Sequence, residues 1–311
     1  MTASVSGLRG MVGRHPSMIA LYDRMARVAG SSLNVLVVGE TGTGKELVAR
    51  GIHALSPRAA EQLVALNSAA VPEGIAEAEL FGVEPGAFTG AVRRRLGHFA
   101  RAHRGTLFLD ELDSATPGFQ ARLLRAVEHG EFTRVGGTRP EVADVRLVGA
   151  VSEAPDALVA AGRLRRDLYH RLAGCRLYLP PLRERREDIV LLAEHFLGAP
   201  ENHGRVRKRL DPSAVRALQD HDWPGNVREL KSVMHALIAL RDDGWLTEAD
   251  VMAEVTGGVR TASERERLVA VLETHRWNAR RAALAFGCSR ATLYRLLRRH
   301  GVDRPTGECL T

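Results

Sequence analysis

Up to Leu182, short unbroken apolar runs alternate with stretches whose apolar residues recur at helical spacing. The runs are NVLVVGE from Asn34, LVALNSA from Leu63, GTLFLDE from Gly105, VRLVGAV from Val145 and CRLYLPPL from Cys175; KELVARGIHAL and FQARLLRAVEHG lie between them. A strand that is apolar at every position is buried on both faces, and helices between such strands supply the crossovers. The pattern therefore predicts an α/β unit built on a parallel five-stranded sheet. After Leu182 the strand signal stops. REDIVLLAEHFL and DPSAVRALQDHDWPGNVRELKSVMHALIAL predict a helical subdomain over 183–240. The mixed segment 241–262, with Asp242, Asp243, Gly257 and Gly258, reads as a linker.

From Ser263 helical spacing returns. Ser263 and Glu266 stand at capping-box spacing before Leu268, Val271 and Leu272. Asn278 is placed to cap a second helix carrying Ala282, Ala283 and Phe286, and Gly287 and Cys288 make a turn. Ser289 is placed to cap a third, with Leu293, Leu296 and Leu297 inward. Arg290, Thr292, Tyr294, Arg295 and Arg298 then fall on or near the outer face.

Charge sharpens this division. Residues 260–304 hold 11 Arg, no Lys and 4 acidic residues, which accounts for the whole net charge of +7; the remainder is neutral. A terminal arginine-rich helical module suits a polyanion, and its outer residues suit base edges and phosphates in a major groove. A solvated basic surface or a small oligomerisation bundle is the competing reading. With 311 residues the chain is long enough for two or three domains. No apolar run of about eighteen residues appears, and Met1 to Arg14 lacks a signal-peptide core, so a cytoplasmic chain without a membrane segment is expected. The three cysteines, Cys175, Cys288 and Cys309, are too scattered for a disulfide framework or a zinc site.

The sharpest chemical signal is GETGTGKE, which follows a predicted strand and opens a predicted helix. Gly39, Gly42 and Gly44 let backbone amides wrap phosphates, and Lys45 can reach the terminal ones; Glu40, Thr41, Thr43 and Glu46 complete the loop. Glu46 stands where the generic loop has a Ser or Thr for magnesium. Magnesium must therefore be held partly from elsewhere. Asp110 and Glu111, at the end of an apolar strand, suit a metal-binding carboxylate and a carboxylate that polarises the attacking water. Phosphoryl transfer also needs cations on the developing charge. Arg165, Arg171 and Arg228 are candidates, but spacing alone leaves each open between that role and a surface salt bridge.

Five stretches, GETGTGKELVARGIH, ELFGVEPGAFTGA, GTLFLDEL, LRRDLYHRL and WPGNVREL, together resemble the AAA+ domain of bacterial enhancer-binding proteins, the sigma-54-dependent activators. The likeness spans roughly residues 10–240 and implies a P-loop NTPase over 11–182 with a helical lid over 183–240, after a short extension at 1–10. It implies ATP and Mg2+, with Lys45 on phosphate, Asp110 on the metal and Glu111 on water. By the same resemblance Asn67 restrains Glu111, Arg228 senses nucleotide within the subunit, and Arg165 and Arg171 reach a neighbouring subunit's site. Fingers acting in trans imply a homo-oligomer, dimer to hexameric ring. The hexapeptide Gly86, Ala87, Phe88, Thr89, Gly90 and Ala91 is the family's sigma-54 contact, with Phe88 and Thr89 touching the polymerase holoenzyme.

Residues 263–304 resemble the Fis-type helix-turn-helix that binds enhancer DNA in this family. Only about ten residues precede the AAA+ likeness, so the expectation is a chain without an amino-terminal regulatory domain, controlled by a separate protein, an organisation similar to the phage-shock and type III secretion activators. Val151 and Ser152 replace the usual Thr-Asn pair of the first sensor, and Val83 and Pro85 replace the usual His and Lys before the loop tip. A nucleotide-gated regulator of sigma-70 promoters and a general AAA+ remodeller are the alternatives; the retained hexapeptide argues against the first and the DNA reader against the second.

Overall fold

The computed structural model describes residues 10–70, 73–88, 91–199, 208–240 and 244–255, together with 272, 279 and 297. In chain order, α1 (Pro16–Ala29), β1 (Val35–Val38), α2 (Lys45–Ala54), β2 (Leu63–Asn67) and α3 (Glu73–Phe81) lead to a short hairpin of β3 (Gly82–Val83) and β4 (Arg95–Leu96). Then come α4 (His98–Arg101), β5 (Thr106–Asp110), α5 (Pro117–His129) and a second hairpin of β6 (Glu131–Thr133) and β7 (Pro140–Val142). β8 (Arg146–Val151), α6 (Pro155–Ala160), α7 (Arg166–Leu172) and β9 (Cys175–Tyr178) complete the α/β part.

The five expected strands form one all-parallel sheet in the order β2-β5-β8-β1-β9. Alternation along the three central strands, β5, β8 and β1, explains why their apolar runs are unbroken: two cores are being filled at once, whereas the edge strands β2 and β9 expose Ala65, Arg176 and Tyr178. Val35, Val37, Phe108, Val148 and Ala150 pack with Met18, Leu21 and Met25 of α1 and Val48 and Ile52 of α2. Leu36, Leu107, Leu109, Leu147 and Val151 point the other way, onto α3, α5 and α7. The end of α1 is held by an unusual group. Arg146, buried in β8, donates to the carbonyls of Val28 and Ala29, each at 2.8 Å, satisfying acceptors that the helix itself leaves unpaired.

A lid of three helices follows: α8 (Glu187–Leu197), α9 (Pro212–Asp220) and α10 (Asn226–Leu240). Asp211 caps α9 by accepting from Ser213 N and Ala214 N, with Pro212 at the first helical position. Between α9 and α10, Trp223 is fully buried and its indole donates to Leu218 O at 2.8 Å. The next turn grips the α/β part. Asn226, fully buried, accepts from Leu182 N at 2.8 Å and donates to Thr41 O at 3.1 Å.

The span 241–262 is not simply a linker. Trp245–Leu246 forms β11, paired in parallel with β10 (Arg209–Leu210). Thr247 then opens a second compact unit with α11 (Glu248–Val255), exchanging hydrogen bonds with Asp250 in a capping arrangement. Asp242 and Gly257 signal turn chemistry in the sequence, whereas the apolar Trp245-Leu246 pair and the Thr-x-x-Asp cap decide the structure of residues 245–255.

Replacing Asn226 by Ala strands the Leu182 amide, so unfolding stability should drop by about 2 kcal/mol in a denaturant titration. A loss below about 0.5 kcal/mol, the scale of an ordinary surface change, would contradict the role given to this side chain.

Candidate functional site

Because all five strands run one way, the loop after β1, the ends of β2 and β5, and the end of β8 meet at one edge of the sheet. Asn67 is registered directly against Asp110. The loop Gly39 to Gly44 leads into α2, with Gly42 (φ +81°) and Gly44 (φ +106°) in the left-handed region that glycine tolerates. Gly42 has a steric reason too: a Cβ there would run into the Gly225 carbonyl of the lid. Lys45 is buried at the start of α2, and its ammonium donates to the carbonyls of Gly39 (2.7 Å) and Glu40 (3.2 Å). Burial pulls the Lys45 ammonium below its usual range and pushes the Asp110 carboxyl above its own, each opposed by the other's charge.

A cavity of about 560 Å³ opens at this edge. Lys45, Glu46, Asp110, Glu111, Arg228 and Lys231 form its charged wall, and Met11, Val12, Met18, Leu192 and Phe196 its apolar one. Glu111 sits at φ 51° and ψ 44°, a left-handed conformation that costs a non-glycine residue about 1 kcal/mol. That turn, steadied by Glu111 N donating to Asp110 Oδ1 at 3.0 Å, lets two successive carboxylates both line the cavity. Asp110 and the phosphate loop are the donor chemistry of a magnesium site: one hard carboxylate, with room for phosphate oxygens.

The other expected residues divide. Asn67 Oδ1 accepts from Ala69 N (2.8 Å) and Ala70 N (3.1 Å), and among the described residues no hydrogen bond joins Asn67 to Glu111. Arg228 lines the cavity and its backbone N donates to Gly42 O at 3.2 Å. Arg165 and Arg171 do not line it. Arg165 pairs with Asp167 at 2.7 Å, and Arg171 reaches the carbonyls of Val127 and Glu128. Glu40 is held by Arg183 through two contacts, at 2.8 and 2.5 Å, and the Arg183 hydrogen bond holds its carboxyl below the usual range.

Three features were missed in the sequence. Ser152 donates to the buried Asp113 at 2.5 Å, and Asp113 also receives Arg163 at 2.9 Å. The buried Gln120 donates to Ala115 O and Arg163 O and accepts from Arg165 N at 2.8 Å, fastening the arginine segment to the turn after Glu111. Arg185 and Asp188 are buried at the head of the lid, and Arg185 lines the cavity. Ser152 had been noted only as a departure, and no spacing rule links Gln120 to residues 43 and 45 positions away.

The described part of the Phe88 loop turns tightly. Gly86 (φ +82°) donates to Ala91 O at 2.8 Å and Ala91 N to Phe88 O at 2.9 Å, while Phe88 is 43% exposed. Phe81, Phe99 and Phe132 stack at the base of the loop with centroids 5.5 to 6.1 Å apart, and the buried Arg134 bridges Glu84 (2.8 Å) and Glu141 (2.7 Å), tying the two hairpins together. Thr89 and Gly90 lie outside the described residues, as do Arg290, Thr292, Tyr294, Arg295 and Arg298. Among the described residues no helix is long and apolar enough to cross a membrane.

Comparison with known proteins agrees with this arrangement. Residues 11–178 match the sigma-54 interaction domain, 183–278 the AAA+ ATPase lid domain, and 259–300 the Fis family of bacterial regulatory proteins. The chain is 44% identical over 303 residues to the Nif-specific regulatory protein of Azotobacter vinelandii, covering 92% of this chain and 58% of that one. It is 43% identical to the transcriptional regulatory protein ZraR of Salmonella typhimurium, covering 93% and 68% respectively. The crystal structure of NtrX from Brucella abortus in complex with ATP superposes with a TM-score of 0.74 at 34% identity, over 94% of this chain and 69% of that one. The chain thus spans somewhat more than half to about two thirds of the length of these relatives. It carries the AAA+ P-loop core, the helical lid and the Fis-type segment in the expected order, and it belongs to the sigma-54 interaction domain family of AAA+ ATPases.

Proposed function

We propose that the chain is an ATP-hydrolysing transcriptional activator that binds enhancer DNA, assembles into a ring, and remodels the sigma-54 RNA polymerase closed complex into an open one. The observation that carries this reading is the pairing of a charged nucleotide cavity with an aromatic tip held out on anchored hairpins. The crystallisation of the similar NtrX with ATP and with ADP supports the nucleotide.

In this reading Gly39 to Gly44 and Lys45 bind the phosphates, with Glu46 at the loop's end. Asp110 would hold Mg2+, which neutralises phosphate charge during transfer. Glu111 takes a proton from the attacking water, and its twisted backbone aims the carboxylate beside Asp110. The Asn67 amide nitrogen, without a partner among the described residues, is the group that would turn toward Glu111 and restrain it. Arg228 answers to the phosphates from the lid. Arg165 and Arg171, outside their own cavity, serve a neighbour's site, which is why a ring is needed. Gly86 to Ala91 carry the motion to sigma-54, with Phe88 and Thr89 in contact. The basic 263–304 module, through Arg290, Thr292, Tyr294, Arg295 and Arg298, delivers the machine to upstream DNA.

Glu111→Ala should leave ATP binding intact and lower turnover at least about 100-fold, as read by phosphate release beside equilibrium nucleotide binding. Turnover near that of the parent would remove Glu111 from its role. Phe88→Ala should keep the ATPase rate and weaken capture of sigma-54 by about 2 kcal/mol, the size of an interface hot spot. Unchanged capture would show that the displayed ring is not the contact. Arg298→Ala should weaken enhancer binding by about 1–3 kcal/mol with turnover unaltered, and a matching loss of both would place the reader elsewhere.

A further inference from the structure

Beside the cavity, which Arg185 helps to line, three buried polar atoms lie in one small cluster with no hydrogen-bond partner among the described residues: Tyr22 Oη, Asp188 Oδ2 and Arg185 Nε. Gly13 fits against them. A Cβ added there would stand 2.9 Å from Asp188 Oδ2, 3.1 Å from Met18 Cγ and 3.2 Å from Tyr22 Oη. The backbone of Gly13 is not in the left-handed region, so its constraint is space and not conformation. The other oxygen of Asp188 is fully used: Oδ1 accepts from Arg14 N at 2.7 Å and His15 N at 3.1 Å. Asp188 has no exposed surface at all.

The neighbouring contacts give this joint a direction. Arg185 reaches Met18 Sδ at 3.2 Å and Thr43 O of the phosphate loop at 3.4 Å. One turn of the lid therefore touches the phosphate loop through Arg185 and the amino-terminal strap through Asp188. That strap includes Met11 and Val12, which line the cavity and whose main-chain groups make no backbone hydrogen bond among the described residues. Burial pushes the Tyr22 hydroxyl up to about 12, so it stays a neutral dipole beside the Arg185 and Asp188 charges. Removing the Asp188 carboxylate would leave the Arg14 and His15 amides without that acceptor, so the place of the strap depends on it.

We infer that Asp188, with Gly13 packed against it, is a positioning residue for nucleotide-base recognition: it sets where the Met11–Val12 strap stands relative to the phosphate loop and thereby sets the preference for adenine over guanine. Phosphates anchored at Lys45 fix one part of the ligand. The base then meets a strap whose place depends on two hydrogen bonds to Asp188. The inference rests on the nucleotide reading proposed above.

The test uses the full-length chain, with ATP and GTP as the probes in hydrolysis kinetics and in calorimetric binding. Asp188→Ala and Gly13→Ala should each raise KM for ATP about tenfold, a factor equivalent to about 1.4 kcal/mol, with kcat within about twofold and a smaller ratio of ATP to GTP affinity. Asp188→Asn, which keeps an acceptor for both amides, should remain near the parent. If Asp188→Ala does not fold, Gly13→Ala decides. Parent-like KM and base ratio in a folded Gly13→Ala, or a fall in kcat at unchanged KM, overturns the inference while leaving the ATPase reading intact. A parent protein that binds neither nucleotide overturns both.

Discussion

The parallel direction of the sheet is the constraint on which the rest depends. Parallel pairing makes every strand leave at the same edge, and the order β2-β5-β8-β1-β9 puts one strand between the phosphate loop and Asp110. Neighbouring strands lie about 4.8 Å apart, so the two chemical groups begin roughly 10 Å from one another. Lys45 and Asp110 consequently sense each other's charge without forming an ion pair among the described residues. That separation leaves room for the phosphates that the proposed function puts there. Had the strands been adjacent, the lysine and the carboxylate would have neutralised each other directly.

A second constraint is that the phosphate loop belongs to two subdomains at once. Arg183, Asn226 and the backbone of Arg228 reach from the lid to Glu40, Thr41 and Gly42. Their contributions differ greatly in size. The Arg183–Glu40 pair is short but 42% and 38% exposed, and such pairs contribute at most about 1 kcal/mol. Asn226 is buried and leaves stranded amides and carbonyls if removed, so it carries more of the grip. The same lid carries Arg228 into the cavity, where the proposed role of registering the phosphates would fall to it.

Much of this was legible in the sequence because each signal was local. Doubly buried strands are unbroken apolar runs, and GETGTGKE needs only its own eight positions to describe a phosphate cradle. What escaped was contact between distant positions: Gln120 with Arg163 and Arg165, Ser152 with Asp113, Arg146 at the end of α1. Strand order was hidden too, since it depends on which crossovers pack and not on the strands' composition. Trp245 and Leu246 were read as linker because a two-residue strand has no periodicity, and only its partner at Arg209–Leu210 reveals it. The left-handed turn at Glu111 likewise has no signature in its residue type.

Promoter opening reads the proposed coupling between nucleotide and polymerase directly. Permanganate footprinting of a sigma-54 promoter with an upstream site, in the presence of holoenzyme and this protein, would compare ATP with a non-hydrolysable analogue. The account predicts single-stranded thymines around the start site with ATP and none with the analogue. Equal opening with both, or none with ATP despite measured hydrolysis and DNA binding, would contradict it.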